Sequence, residues 1–405
     1  MGQSGRIPFL IAGGGIGGLA TALAVSRAGY PAHVLERAEE FAEIGAGLQL
    51  APNATRMLDR LGVWEKIRQH AIYPKRLIMM DAVSGRQITA LDVGAKFVEH
   101  FGYPYIVMHR GDLLGAELEA CRASHLITLE NNRQVVSIED LGDGARVHCA
   151  DGAVYECDAL VGADGLRSTT RKLIHDDEPV CAQAVAYRAT LPIREVAAGS
   201  DLDNMTIWVG PNVHFVQYTI RQGELFNQVA VFRSERYKEG SDDWGTPEEL
   251  DEHFSRMCPR VREGVAKMNR GRRWAMFDRP PIPNWTRHRI TLLGDAAHPM
   301  LQYIAQGACQ ALEDAAYLGQ KLQEFRGDAG RAFPSYQAER LPYTARVQNT
   351  ARLVGEIYHV DGVGNLLRNA LLGKYGPDDF GYLEWLYGHG GAREPQTTRY
   401  EYARG

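Results

Sequence analysis

Six cysteines, at positions 121, 149, 157, 181, 258 and 309, are scattered through the chain with no Cys-x-x-Cys pair and no companion histidines at metal-ligand spacing. A zinc module and a disulfide framework therefore find no support, and the expectation is mostly buried, reduced thiols with no metal site. No apolar run approaches the roughly 18 residues that a membrane-spanning helix needs. Near the start, Ile7-Pro8-Phe9-Leu10-Ile11-Ala12 runs straight into glycines. It lacks the long apolar region and cleavage site of a secretory leader, so a soluble, cytoplasmic protein is expected. Lys and Arg number 45 against 50 Asp and Glu, a net charge of −5. The short stretch Gly271-Arg272-Arg273-Trp274 is no basic face, so nucleic acid has nowhere to dock. Repeats and low-complexity segments are also missing, and so is a second glycine-rich dinucleotide turn.

What is present is ordinary for a globular chain: 45% hydrophobic and 23% charged residues. A length of 405 residues exceeds one core and predicts two domains with an appendage. Residues 7–12 form the short continuous apolar run of a buried parallel strand. Leu19, Ala20, Leu23 and Ala24 follow at helical spacing up to Ala28-Gly29-Tyr30, and Ala32-His33-Val34-Leu35 is a second strand ending in Glu36-Arg37. Between strand and helix lies Gly13-Gly14-Gly15-Ile16-Gly17-Gly18. In such a unit Gly13 permits a tight turn, Gly15 close backbone approach to a diphosphate, and Gly18 close helix–strand packing. Glu36, at the strand end, stands where a carboxylate grips a ribose 2′-hydroxyl.

Further along, Ala145–Ala150, the turn Asp151-Gly152 and Ala153-Val154-Tyr155 read as a hairpin. Ala159-Leu160-Val161 leads into Gly162-Ala163-Asp164-Gly165-Leu166-Arg167-Ser168-Thr169-Thr170-Arg171. From about 181 to 275 the chain alternates in period two, as in Thr206–Val209, Phe215–Ile220 and Gln228–Phe232, which predicts an antiparallel, aromatic-rich sheet. Ile290-Thr291-Leu292-Leu293 is a buried strand that returns the chain to the first domain. It is followed by Gly294-Asp295-Ala296-Ala297-His298-Pro299, then Gly307, then Glu313-Asp314-Ala315. Ala311, Leu312, Ala315 and Leu318 keep a helical stripe, and the tail beyond about 345 reads as helices with a polar end.

An early glycine turn, a middle Gly-Ala-Asp-Gly segment and a late Gly-Asp…His-Pro…Glu-Asp-Ala segment describe a flavin held at both ends. Spanning Gly13 to Ala315, the three resemble the single-component, FAD-dependent aromatic hydroxylases (group A flavoprotein monooxygenases). That resemblance implies an α/β fold: a Rossmann-like FAD-binding domain with an inserted antiparallel-sheet substrate domain and a helical C-terminus. The FAD-binding domain would cover 1–180, with an excursion into the substrate domain near 75–105. The substrate domain would cover 181–275, 276–345 would return to the FAD-binding domain, and 346–405 would be the C-terminal helices. The cofactor would be FAD, with NADH and O2 as co-substrates and, by the family's habit, a homodimer. Residues expected to hold FAD are Gly13, Gly15, Gly18, Glu36, Arg37, Arg110, Asp164, Asp295, Gly307 and Ala308. Asp295 would bond the ribityl hydroxyls, and the loop from Pro299 to Gly307 would aim N–H groups at the flavin.

Such chemistry proceeds through a flavin C4a-hydroperoxide shielded from water, and it wants a base beside a phenol in an apolar pocket. His214 and Tyr218, four apart in Asn212-Val213-His214-Phe215-Val216-Gln217-Tyr218, face the same side of a strand as Asn212 and Val216, and histidine is tuned to accept a proton near neutral pH. In Met300-Leu301-Gln302-Tyr303, Gln302 replaces a proline common in the family. With Tyr187-Arg188, Trp208–Pro211, Gly223–Gln228 and Met276–Arg279, it resembles the branch that converts 3-hydroxybenzoate to gentisate. The salicylate hydroxylases, which release catechol, share nearly the same motifs. The resemblance gives catalytic roles to His214, Gln302 and Tyr218, and makes Arg188 and Tyr218 donors to the substrate carboxylate. Cys309 departs from the family pattern, which often has Asn there. A reading of another class is a flavin-binding sensor or scaffold without turnover.

If the thiols are free, the thermal midpoint is the same with and without a strong reductant. A fall on reduction would reveal a disulfide.

Overall fold

The computed structural model describes residues 5–42, 46–196, 199–241 and 243–389. Two sheets organise it. In the first, Ile7–Ala12 is central and pairs in parallel with Ala32–Leu35 on one side and Val154–Gly162 on the other. Ile127–Glu130 and Ile290–Leu292 extend the parallel run outward at either end. The hairpin strand Ala145–Cys149 joins antiparallel to the first half of Val154–Gly162. Leu10, Ile11 and Ala12 are wholly buried because both faces are covered, which is why the strand reads as an unbroken apolar run. The helices Ile16–Arg27 and Gly307–Glu324 cover one face, and the strands Val135–Asp140 and Ala145–Cys149 with the short helix Thr169–Ile174 cover the other.

The helices Ile16–Arg27 and Gly307–Glu324 pack together on small residues. A Cβ on Gly319 would lie 2.9 Å from that of Ala24, and one on Gly17 would lie 3.3 Å from that of Ala311. No larger side chain fits between these axes.

The second sheet has seven strands, in the order Arg273–Asp278, Val180–Pro192, Leu225–Arg233, Val213–Ile220, Met205–Gly210, Arg76–Asp81, Gln87–Asp92. It differs from the expected antiparallel sheet at one place: Met205–Gly210 runs parallel to Arg76–Asp81. Those two strands come from separate stretches of chain, so no hairpin dictates their direction. One face, with Tyr187, Phe215, Ala230 and Phe232, is covered by the helices Pro247–Phe254 and Pro259–Ala266. The former starts on a capping box, Thr246 with Glu249, behind Pro247. The other face looks toward the first sheet.

A single helix, Ala329–Tyr358, reaches from the first sheet to the second. The expected boundary between 345 and 346 falls inside it, and that between 275 and 276 falls inside the strand Arg273–Asp278. The helix continues because it is anchored along its whole length. Tyr336 donates to the Leu292 carbonyl at 3.2 Å, Gln348 donates to the carbonyls of Arg279 and Pro299 at 3.0 and 3.1 Å, and Arg352 pairs with Asp278 at 2.6 Å. Between them Arg340, fully buried, bridges Glu313 at 2.6 Å and Asp314 at 2.7 Å. Beyond it come the Gly362–Leu372 helix and a last turn at Glu384–Tyr387. The polar end expected beyond 389 lies outside the described residues. No helix among the described residues is long and apolar enough to cross a membrane.

Burial alone would push the Glu313 and Asp314 carboxyls up, but their partners outweigh it. Arg340, with His389, lowers Glu313, and His298, with Arg340, lowers Asp314. Their contribution to stability is therefore present above the unfolded-state values near pH ~4 and is lost as the pH falls through the lower folded-state values. Arg340→Met strands two buried carboxylates and should cost about 3–5 kcal/mol, read as a lower thermal midpoint at pH 7. An unchanged midpoint would show that the ion pair does not brace the fold.

Candidate active site

Between the sheets lies a cavity of about 1340 Å³, larger than the ~300–1,000 Å³ that holds one drug-sized ligand. It has room for a dinucleotide and a second small molecule. Of the residues singled out in the sequence, Gly13, Gly15, Glu36, Arg37, Arg110, Asp164, Asp295, Gly307 and Ala308 line it, and so do Arg188, His214, Tyr218 and Gln302. Gly18 does not. A Cβ there would meet the Gly13 carbonyl oxygen at 1.8 Å, so this glycine serves packing inside the turn.

At one end the glycine turn opens the Ile16–Arg27 helix, whose N-cap Gly15 provides no side-chain cap. Gly13 adopts φ +108°, and a Cβ on it would strike the Ala163 carbonyl at 2.3 Å. A Cβ on Gly15 would meet nothing within 4 Å, because that side of the turn faces the cavity. The Gly307–Glu324 helix also starts without a side-chain cap, at Gln306. Two uncapped helix N-termini thus present first-turn N–H groups and positive dipole ends to one cavity. That is the electrostatics a diphosphate and an electron-rich flavin edge require.

The carboxylates differ in what they do. Glu36 accepts from Gly14 N at 2.7 Å and Ala38 N at 2.8 Å, which locks the strand end to the glycine turn. Asp164 accepts from the Thr169 and Thr170 backbone at 2.8 and 3.0 Å and from the Ser168 hydroxyl, so its side chain holds the middle turn while the turn itself lines the cavity. Asp295 is exposed between buried neighbours and faces the Gly307 side of the cavity. Arg171, from the middle motif, is wholly buried and donates to the carbonyls of Ala296 and Ala297 at 3.1 and 2.7 Å. It bolts the middle motif to the late one. The late motif is held from beneath: Asp314 accepts from Gly294 N at 3.0 Å and pairs with His298 at 2.5 Å.

The opposite wall is the open face of the second sheet. His214, Val216 and Tyr218 alternate onto it from the Val213–Ile220 strand. Asn212, expected on the same face, instead occupies the two-residue turn before that strand at φ +56°, a left-handed conformation that asparagine tolerates. His214 is buried, and its Nδ1 lies 2.9 Å from Nε2 of His359. Burial, then the neighbouring His359, holds its imidazole well below the usual range, so the ring is neutral at physiological pH. Burial raises the Tyr218 hydroxyl. Arg188 stands on the same sheet face, level with Val229 and Val216 on the next two strands, and its Nη2 donates to the side-chain oxygen of Gln302 at 3.0 Å. The Arg188 guanidinium also sits 5.6 Å from the Trp274 ring. With its oxygen engaged, Gln302 has its amide N–H groups to offer.

Sequence reasoning missed Tyr105, which lines the cavity and donates to Gln49 at 2.6 Å, and Tyr303, whose ring lies 5.3 Å from that of His214. Tyr105 sits in no periodic or motif context that would mark it, and Tyr303, though next to Gln302 in the motif, carries no local sign that its ring meets His214. Cys309 is wholly buried off the cavity, with its thiol 3.5 Å from the Ala305 carbonyl and pushed up to about 12 by burial. It is inert packing. All six cysteines are free, and no metal-ligating cluster occurs among the described residues.

A family model described as an FAD binding domain matches residues 6–351. The chain belongs to this family, the FAD-dependent aromatic-ring hydroxylases, and its cofactor is FAD. Among curated relatives it is 41% identical to the 3-hydroxybenzoate 6-hydroxylase of Klebsiella oxytoca, covering 94% of this chain and 96% of that one. It is 40% identical to the 3-hydroxybenzoate 6-hydroxylase of Polaromonas naphthalenivorans, over 94% and 96% of the two chains. Among solved structures, Klebsiella pneumoniae HpxO complexed with FAD and uric acid superposes with a TM-score of 0.80 at 25% identity, over 91% of this chain and 93% of that one.

The two glycines separate binding from folding. Gly15→Val should leave the thermal midpoint of the FAD-stripped protein unchanged while weakening FAD retention at least tenfold. Gly18→Ala should lower that midpoint. Equal FAD retention by the Gly15 variant and the parent would remove the turn from the cofactor site.

Proposed function

We propose that the protein uses FAD, NADH and O2 to hydroxylate 3-hydroxybenzoate para to its hydroxyl, giving gentisate. One observation carries this reading: His214, Tyr218 and Arg188 share one sheet face, and Gln302, bonded to Arg188, joins them in a cavity large enough for both flavin and substrate. The likeness to relatives named 3-hydroxybenzoate 6-hydroxylase supports it.

Bound FAD supplies the redox chemistry, taking electrons from NADH and delivering them to dioxygen. The chain's own residues do the rest. The glycine turn at Gly13 and Gly15 would hold the diphosphate, and Glu36, Arg37 and Arg110 would complete the cofactor's grip from the same cavity. Asp164 sets the middle turn, and Asp295, Gly307 and Ala308 would hold the ribityl chain and ring. His214, neutral before substrate arrives, accepts the phenolic proton, so electron density rises at the ring carbon para to that oxygen. Gln302 donates an amide N–H to the same oxygen or to the carboxylate, its orientation set by Arg188. Arg188 and Tyr218 supply the cationic and hydroxyl partners for the carboxylate. Val216, Val229 and Ile207 complete an apolar wall that excludes water.

The test is NADH consumption by the FAD-loaded protein across a panel of hydroxybenzoates, with products identified by chromatography. Gentisate from 3-hydroxybenzoate is expected. Catechol from salicylate would overturn the substrate assignment, and hydrogen peroxide with unmodified substrate would overturn hydroxylation itself. His214→Ala should keep its FAD and lose roughly 10²-fold or more in hydroxylation. Parental turnover in that variant would reduce His214 to a structural role.

A further inference from the structure

His359 follows the last residue of the Ala329–Tyr358 helix and does not line the cavity. Its Nε2 nevertheless lies 2.9 Å from Nδ1 of His214, with the two rings stacked at 5.1 Å and 27°. The backbone holds it there. The His359 carbonyl accepts from Asn212 N at 3.0 Å, which ties the helix end to the turn just before His214. Arg368 donates to the neighbouring Tyr358 carbonyl at 2.8 Å and is itself held by Asn365 and Asn369, both of which reach Asp81.

A hydrogen bond between two imidazole nitrogens needs one proton between them, and a neutral ring has one N–H and one bare nitrogen. Both rings are kept neutral. Burial, then Arg233 and Arg368, pushes His359 down to about 3, and His214 is depressed as described above. The charged and titratable groups around the pair are Arg233, Glu356, Arg368, Asp81, Tyr303 and Tyr358. A neutral pair has two arrangements. If His359 donates, the cavity-side Nε2 of His214 carries a proton and cannot take one from a phenol. If His214 donates through Nδ1, its Nε2 is bare and faces the cavity that the ring lines.

We propose that His359 is a positioning residue that accepts a hydrogen bond from His214 Nδ1–H, fixing the tautomer in which His214 Nε2 receives the substrate's proton. This rests on the proposed role of His214 toward a phenol. The proton balance is simple: the phenol O–H bond breaks, an N–H bond forms at His214 Nε2, and the resulting imidazolium keeps its Nδ1–H on His359. His359 thus acts on the acceptor and never touches substrate. With His359 neutral, its bare Nε2 remains the acceptor for the Nδ1–H of that imidazolium.

The test uses the FAD-loaded full chain with 15N-labelled histidine, two variants and two readouts. His359→Phe keeps the ring and its stacking but removes the acceptor. His359→Gln places an amide oxygen near the position of Nε2. Nitrogen chemical shifts in the ligand-free parent should show His214 protonated at Nδ1, with that preference lost in His359→Phe and restored in His359→Gln. With 3-hydroxybenzoate, His359→Phe should lose ~10–100-fold in kcat with FAD content and the KM for NADH unchanged, and His359→Gln should recover to within a few-fold. A parent His214 protonated at Nε2, or a His359→Phe variant as active as the parent, would overturn the inference. If no hydroxybenzoate is turned over by the parent, the substrate reading fails, and the nitrogen shifts still decide the tautomer. Should both variants fail to fold, the parent's shifts alone decide it.

Discussion

The Arg340 guanidinium lies wholly buried between two equally buried carboxylates, Glu313 and Asp314, and most of the flavin end of the cavity hangs from that contact. Desolvating three charges costs several kcal/mol per ion, which only close pairing and further hydrogen bonds recover. Both are present. Glu313 also takes His389, and Asp314 takes His298 and the Gly294 backbone, while Arg340 reaches the Gln310 side chain at 2.6 Å. Most of those partners lie under the turn that carries Asp295 or at the start of the Gly307–Glu324 helix. The position of the cofactor-facing loop is thus dictated by charges buried beneath it.

On that floor the two ends of the cavity are built by different physics. The flavin end consists of backbone: uncapped helix starts and glycines without side chains. The substrate end consists of side chains on a sheet face, where alternation delivers His214, Val216 and Tyr218 to one side and Phe215 to the packed core. The Gln302–Ile304 turn belongs to both, since it leads into the Gly307 helix and carries Gln302 to Arg188. Its exit at Ala305 has φ +52°, an uncommon conformation for alanine, which costs about 1 kcal/mol or more and is a mark of sites where position matters more than stability.

What could be read from the chain follows a physical divide. The glycine turn, the strands at 7–12 and 32–35 and the alternating strands near His214 are local patterns with a period, and they appear where expected. The placing of His214, Tyr218, Gln302 and Arg188 in one cavity was legible only with the family resemblance, because Arg188 and Gln302 are 114 positions apart. Arg340, Tyr105 and His359 carry no local signature at all: each is an ordinary residue made important by what the fold brings to it. The parallel pairing of Met205–Gly210 with Arg76–Asp81 escaped for the same reason. A domain boundary at 345 followed from the family resemblance, yet the helix runs through it because Gln348 and Arg352 keep it anchored beyond that point.

That unbroken helix is also a ruler. Tyr336, Arg340, Gln348 and Arg352 meet partners at intervals along it, and His359 sits just past its end against the substrate wall. Its 30 residues span about 45 Å, and each residue added or removed turns everything downstream by about 100°. The separation between the ion-pair floor and the His214 wall is therefore quantised, adjustable by whole turns and not by single residues. A one-residue insertion after Arg340 would leave the ion-pair floor intact and swing Gln348, Arg352 and His359 away from their partners together.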